Sequence, residues 1–195
     1  MTVRESRGSQ AKVDAHRWKY ARVERERRFL VAELPPEPPP VRVREIVDRY
    51  VPGTSLRLRR VTDQSGGGVS EVFKFTQKVV GEGADAGRLL ITNTYLPPHE
   101  YELLASLPSE EVRKTRYSIL AMGIDVFAPP LDGLILAEAE FDTDPEMAAF
   151  RPPAFVGAEV TGDPRFTGAE LTRATRDQVV AWAADYGLSL PPPSS

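Results

Sequence analysis

The sequence predicts a mainly β (α+β) fold built on an antiparallel sheet that closes on itself. Three observations predict it. About eight strand-like segments follow one another with turn signals between them, which favours a closed sheet over a sandwich, and closure removes exposed edges. Helical signals are confined to three short stretches, near residues 100–107, 144–150 and 175–187. Finally, five stretches carry charged side chains in strand register: Glu24-x-Glu26-x-Arg28, Arg57-x-Arg59, Lys74-x-x-x-Lys78, Lys114-x-Arg116 and Glu138-x-Glu140. Successive strand side chains point to opposite faces, so each set shares one face.

The elements follow in order. Residues 21–34 begin as a strand and run into five prolines between 35 and 40, which exclude a central strand and imply an extended surface loop. Val41 to Tyr50 reads as a strand, Pro52-Gly53 as a turn, and Leu56-Arg57-Leu58-Arg59 as an alternating strand. Gly66-Gly67-Gly68 marks a hairpin tip before a strand from Val69 to Val79; Gly81 to Gly87 marks a turn before Arg88 to Tyr95. Pro97-Pro98 opens a helix from Glu100 to Leu107, and strands follow at Val112–Leu120, Ile124–Phe127 and Leu134–Phe141. Asp144-Pro145 fits an N-cap with proline in the first helical position, and Thr175-x-x-Gln178 a capping box for a last helix ending near Gly187. The domain plan is a basic arm over 1–20, a body over 21–175, and a C-terminal helix with a proline-rich tail over 176–195.

At 195 residues, 41% hydrophobic and 27% charged, the chain suits one soluble globular body. No apolar run nears the roughly 20 residues of a membrane helix, and no apolar region follows the first residues, so a cytoplasmic protein without a membrane partner is expected. The absence of cysteine excludes disulfides, thiolate metal sites and cysteine nucleophiles. A net charge of −3 argues against a general nucleic-acid binder, although residues 1–22 hold six cations against Glu5 and Asp14. That arm reads as an extension, pinned by Trp18 and Tyr20, or as a basic flap over an anionic ligand. A homodimer is compatible with the sequence.

The charged stripes have two readings. Facing water, they make an ordinary polar surface. Facing inward, Arg28, Arg57, Arg59, Lys74, Lys78, Lys114 and Arg116 oppose Glu24, Glu26, Asp125, Glu138 and Glu140, and such a cluster cannot stay dry without a partner. The segregation of signs by strand favours the inward reading, since solvated surfaces mix them. A triphosphate, with roughly four to five negative charges, together with one or two Mg²⁺ would bring the sum near neutral. Arginine forks suit phosphate, and clustered carboxylates suit a hard divalent cation.

At these residues the chain resembles the CYTH superfamily, the triphosphate tunnel metalloenzymes. Val23-Glu24-Arg25-Glu26-Arg27-Arg28 resembles the family's Glu-x-Glu-x-Lys opening, Arg57-Leu58-Arg59 its Arg-x-Arg strand and Thr76-Gln77-Lys78 its Thr-x-Lys strand. Lys114-Thr115-Arg116-Tyr117, Ile124-Asp125-Val126-Phe127 and Leu136-Ala137-Glu138-Ala139-Glu140-Phe141 resemble later strands, and Gly157-x-Glu159-Val160-Thr161 with Asp163-x-Arg165 the closing segment. The resemblance implies a closed eight-stranded antiparallel tunnel with helices outside and Mg²⁺- or Mn²⁺-dependent chemistry on triphosphates. It implies phosphate-holding roles for Arg28, Arg57, Arg59, Lys78, Lys114 and Arg116, with Arg28 and Lys114 the candidate catalytic residues. Glu24, Glu26, Glu138 and Glu140 become candidate metal ligands, with Asp125 a further one. Lys74 joins the substrate set from spacing alone, and Arg165 as a residue closing one mouth.

Two departures qualify the pattern. Arg28 stands where the family has lysine, which keeps the charge but cannot transfer a proton. Arg88-Leu-Leu-Ile-Thr-Asn-Thr-Tyr95 lacks the two carboxylates of the family's Arg-x-Glu-x-Glu strand, which leaves the number of metals open. Neither His16 nor His99 belongs to a ligand cluster. The expected activity is metal-dependent hydrolysis of inorganic triphosphate or of an organic triphosphate such as thiamine triphosphate or a nucleotide. The alternatives are a class IV-type adenylate cyclase, a non-catalytic polyphosphate- or nucleotide-binding module, and a structural domain with outward charges.

Overall fold

The computed structural model, which describes residues 19–79 and 88–191, shows eight strands closed into one barrel. The strands are β1 (Arg22–Leu30), β2 (Arg42–Tyr50), β3 (Leu56–Asp63), β4 (Ser70–Val79), β5 (Arg88–Leu96), β6 (Glu110–Ile119), β7 (Met122–Phe127) and β8 (Ile135–Phe141). Their order around the barrel is β1-β5-β4-β3-β2-β6-β7-β8, returning to β1, and every neighbouring pair is antiparallel. Closure leaves no strand of the barrel with an unpaired edge. Among the described residues no helix is long and apolar enough to cross a membrane. Of the basic arm, residues 1–18, with His16 and Trp18, lie outside the described residues, as do the turn at 81–87 and the tail from 192; Tyr20 is 81% exposed and pins nothing.

The apolar matter is arranged around the charged interior rather than within it. Phe29, Ile124, Ala137 and Ala139, on the outward faces of β1, β7 and β8, are buried beneath Phe150, Phe155 and Val156. Leu58 and Phe73 on β3 and β4 are buried by Tyr101 and Leu104 of helix α1 (Pro98–Ala105), with the Phe73 and Tyr101 rings 4.6 Å apart. A third cluster occupies one end of the barrel. There the inward residues Leu30, Tyr50, Val112, Phe127 and Leu136 meet Val160, Phe166, Leu171 and Val179 from the C-terminal segment.

That segment follows helix α2 (Asp144–Ala149) and comprises a 3-10 turn (Pro164–Phe166) and the helices α3 (Gly168–Leu171) and α4 (Arg176–Ala184). The Thr175–Gln178 capping box is present and starts α4, which ends at Ala184, before Gly187. The cap of α2 is corrected by one residue. Thr143, not Asp144, is its N-cap, because Thr143 and Glu146 form a reciprocal capping box that places Asp144 and Pro145 inside the first turn.

The end cap fits closely. A Cβ built on Gly168 would lie 2.0 Å from the Tyr50 hydroxyl, so only glycine lets α3 seat against the phenol. Gly168→Ala is expected to destabilise the fold by roughly 1–3 kcal/mol through overpacking, read as a lower denaturation midpoint at unchanged m-value.

Candidate active site

The strand register determines which charges meet. Between β1 and β8, Glu26 lies opposite Glu140 and Arg28 opposite Glu138. Between β2 and β3, Asp48 lies opposite Arg59; between β3 and β4, Arg59 lies opposite Lys74 and Arg57 opposite Thr76. Arg116 faces Asp125 across β6 and β7. These side chains surround a cavity of about 100 Å³ lined by Arg22, Glu24, Glu26, Arg28, Arg57, Arg59, Lys74, Lys78, Lys114, Arg116, Glu138 and Glu140, with Ile91 and Asn93. Larger hollows, about 510 Å³ near the β3–β4 tip and about 390 Å³ beside α2, gather no comparable set of charges.

The cations are held in two ways. Asp48, 1% exposed, accepts hydrogen bonds from Arg59 Nε and Nη2 at 2.6 Å each, with Arg57 Nε 3.5 Å away. Asp125, fully buried, accepts from Arg116 Nε and Nη2 at 2.6 Å each and from Lys114 Nζ at 2.5 Å. Gly123 makes room for this arrangement: a Cβ there would lie 3.1 Å from Arg116 Cδ and Nε. Both aspartates sit behind the cations and outside the cavity lining. The glutamates instead share the cavity surface with their partners, Arg28 pairing with Glu26 and Glu138, Lys78 with Glu24, and Arg116 with Glu138.

Electrostatics differs from carboxylate to carboxylate. Against the burial that would raise it, Arg59 and Arg57 hold the Asp48 carboxyl far below the usual range. Glu138 is likewise pulled well down, against burial, by Arg116, Lys114 and Arg28. Glu26 moves the other way, raised by burial and by the repulsion of Glu138, despite Lys78 and Arg28. Burial, then Arg59 and Arg57, lower Lys74 to about 8. The lining holds eight cations and four carboxylates; with Asp48 and Asp125 behind it, an excess of two positive charges remains.

Curated relatives and solved structures match this chain. The inorganic triphosphatase of Acetivibrio thermocellus is 36% identical over 66 residues, 32% of this chain and 41% of the relative. That of Nitrosomonas europaea is 40% identical over 78 residues, 37% of this chain and 52% of the relative. A crystal structure of the inorganic triphosphatase NE1496 superposes with a TM-score of 0.50 at 27% identity, covering 77% of this chain and 95% of that one. A second crystal structure, of the hypothetical protein NE1496, gives 0.51 at 28%, covering 78% of this chain and 99% of that one. The likeness in sequence and in fold supports a CYTH-type triphosphate tunnel domain. No family model matches this chain, and the aligned segment spans about half the length of the curated relatives.

Of the residues singled out in the sequence, the barrel brings all but two to the cavity. Asp125 is the first exception, since Lys114 and Arg116 occupy its oxygens. Arg165 is the second. It lies on the 3-10 turn beside α4, bonded to Asp163 and Asp185 and packed near Trp182, outside the cavity lining. Three residues that sequence reasoning passed over belong to the site: Asp48, Arg22 and Asn93, which accepts from the Thr76 hydroxyl at 2.8 Å. Asp48 could have been found from Arg44-x-x-x-Asp48-x-Tyr50, a stripe interrupted by the apolar Ile46.

The cavity walls fit a hard divalent cation by donor type. Glu24, Glu26, Glu138 and Glu140 line one side, where burial and the neighbouring Glu138 raise Glu26 despite Lys78 and Arg28. Among the described residues no three potential ligands already converge, so holding a cation requires these carboxylates to turn from their cationic partners. The glutamates' ion pairs lie in the lining itself, so a triphosphate entering here exchanges internal ion pairs for its own.

The Asp48 pair makes a pH prediction. A depressed carboxyl stabilises the fold above its ordinary value of about 3.9, and this contribution is lost as pH falls through the lower folded value. Asp48→Ala, which leaves Arg59 buried without a counter-charge, should cost about 3–5 kcal/mol. Asp48→Asn should flatten the decline of stability below about pH 4 relative to the unsubstituted protein, as read by urea titrations across pH.

Proposed function

We propose that the protein hydrolyses the terminal phosphoanhydride of a triphosphate, inorganic or organic, releasing orthophosphate in a reaction dependent on Mg²⁺ or Mn²⁺. The observation that carries this reading is the enclosed lining with eight cations, four carboxylates and buried aspartates behind it. Such an excess of positive charge in a bore is complementary to a compact polyanion accompanied by a divalent cation. The name shared by both curated relatives favours hydrolysis over cyclisation.

The residues divide the work. Arg59 and Arg116 present their Nε and Nη2 edges to Asp48 and Asp125, which leaves Nη1 of each outside the aspartate pair and able to donate to phosphate oxygen. Fixed in advance, they align the phosphate chain without reorganising as charge develops on the transferred group. Arg28 and Lys114 stabilise that charge beside the apolar end cap, Arg28 itself braced by the Phe166 carbonyl at 3.1 Å. Arg57, Lys74 and Lys78 complete the phosphate contacts. A divalent cation held by Glu24, Glu26, Glu138 and Glu140 would neutralise phosphate charge and lower the pKa of an attacking water. Water attacks the terminal phosphorus, the bridging P–O bond breaks, and a product shorter by one phosphate leaves.

Purified protein with inorganic triphosphate, thiamine triphosphate and ATP tests the reading. Orthophosphate release with Mg²⁺ or Mn²⁺, abolished by EDTA, is expected; pyrophosphate with cyclic AMP, or binding without turnover, would overturn it. Arg57→Glu should lower kcat/KM roughly 10²-fold or more, whereas a solvated surface charge would tolerate the change. Lys74 carries its proton below about pH 8, so KM for triphosphate should rise as pH climbs through that value. Lys74→Arg should abolish that rise, and Lys74→Met should weaken binding at all pH values, by roughly tenfold where Lys74 is charged.

A further inference from the structure

Arg44 faces the bore and has no counter-ion there. On β2 it shares the inward face with Ile46 and Asp48, and its neighbours across the sheet are Asp63 on β3 and Arg116 on β6. Two carboxylates act on it, Asp63 and Asp125, and both are engaged elsewhere. Asp63 pairs with Arg42 and accepts from the Ser65 amide at 2.9 Å. Asp125 accepts from Lys114 and Arg116. Among the described residues Arg44 pairs with no carboxylate. Its Nη2 donates to the Ser118 hydroxyl at 3.0 Å, its Nη1 bonds to no described residue, and its Nε is buried without a partner.

This arrangement is costly as it stands. Like charges directly opposite each other on antiparallel strands repel, and Arg44 stands directly opposite Arg116. A buried guanidinium nitrogen without an acceptor forfeits its hydration as well. Burial, then Arg116 and Arg42, lower Arg44 from its ordinary value, outweighing the more distant pull of Asp63 and Asp125. Arg116 directs Nε and Nη2 to Asp125 and Glu138 and keeps Nη1 outside those pairs. An anion between the two guanidiniums would relieve the repulsion and satisfy the orphaned donors together. Ser118 accepts from Arg44 and still has its own hydroxyl proton to donate.

We propose that Arg44, with Ser118 beside it, is an outer phosphate-binding position next to Arg116, which engages a phosphate beyond those held in the cavity lining and raises the preference for a four-phosphate chain over a three-phosphate one. The proposal rests on the triphosphatase reading for its ligand class. Phosphate suits the position because its several oxygens accept from two guanidiniums at once and bring the negative charge that Arg44 lacks. Arg116 belongs to the cavity lining and Arg44 does not, so the outer position adjoins the cavity across a single strand pairing. Arg44 bonds to none of Arg28, Lys114 or the four glutamates. It therefore acts on affinity for the chain and leaves the transferred group to the inner cations.

The test compares orthophosphate release from linear triphosphate and linear tetraphosphate, each with Mg²⁺, by the unsubstituted protein, Arg44→Met and Arg44→Lys. Arg44→Met should lower kcat/KM for tetraphosphate roughly tenfold more than for triphosphate, with the difference lying in KM. Arg44→Lys, which keeps the charge, should recover part of it. Equal losses for the two chains, or no loss for either, overturn the proposal. A folding defect would produce such equal losses together with a lower urea midpoint, and so counts against it. Calorimetry with the same chains and Mg²⁺ keeps the two readings apart. If the unsubstituted protein hydrolyses neither chain, the triphosphatase reading falls alone where Arg44→Met still weakens tetraphosphate binding selectively, and both fall where it does not.

Discussion

The structure depends on two buried carboxylates that never reach the cavity they serve. Asp48 and Asp125 lie behind the lining, each holding a cationic pair from a neighbouring strand. Without them, four more of the cations would repel one another in a confined space of low polarisability. With them, Arg59 and Arg116 are oriented before any ligand arrives. The glutamates are differently placed. They share the cavity surface with their partners, so their ion pairs are open to exchange by a ligand and its metal. One set of counter-ions acts as scaffold, and the other is part of the binding equilibrium.

A charged interior leaves the barrel without the usual central core, and the rest of the architecture compensates. Apolar burial moves to the outer faces of the strands, where α1 and the 150–156 segment cover them, and to the end cap beneath the charges. The helices are short, and none of them lines the cavity. Their task is to keep water from the barrel's outer surface while the bore stays polar. This division explains why the apolar alternation of β1, β3, β4 and β8 points away from the chemistry.

Much of this was legible in the sequence because strand periodicity is rigid. Once Arg57 and Arg59 share a face, Leu58 must take the other, and the same logic places Glu138 and Glu140 together opposite Ala137 and Ala139. What periodicity does not reveal is which inward charges satisfy one another. Asp125 faces inward, yet its oxygens are taken by Lys114 and Arg116, a pairing fixed by cross-strand register. Asp48 escaped notice because outward Glu45 and Arg49 are also charged, so β2 shows no clean alternation. Arg165 was drawn off by local geometry: Asp163, two residues earlier, captures its guanidinium. The end cap depends on contacts between β-strands and a segment over a hundred residues from β1, which no local pattern encodes.

Gly123 shows how finely such a site can be tuned by a residue with no chemistry of its own. Its bare α-carbon gives the Arg116 side chain the berth it needs to lie flat across Asp125 and still touch Glu138. A single added methyl would press on the far end of that side chain, 3.1–3.2 Å from Cδ, Nε and Cζ, and shift the guanidinium from where a phosphate oxygen would be met. Divergence among proteins built on this barrel can therefore proceed through silent wall positions, retuning reactivity while every charged residue stays in place.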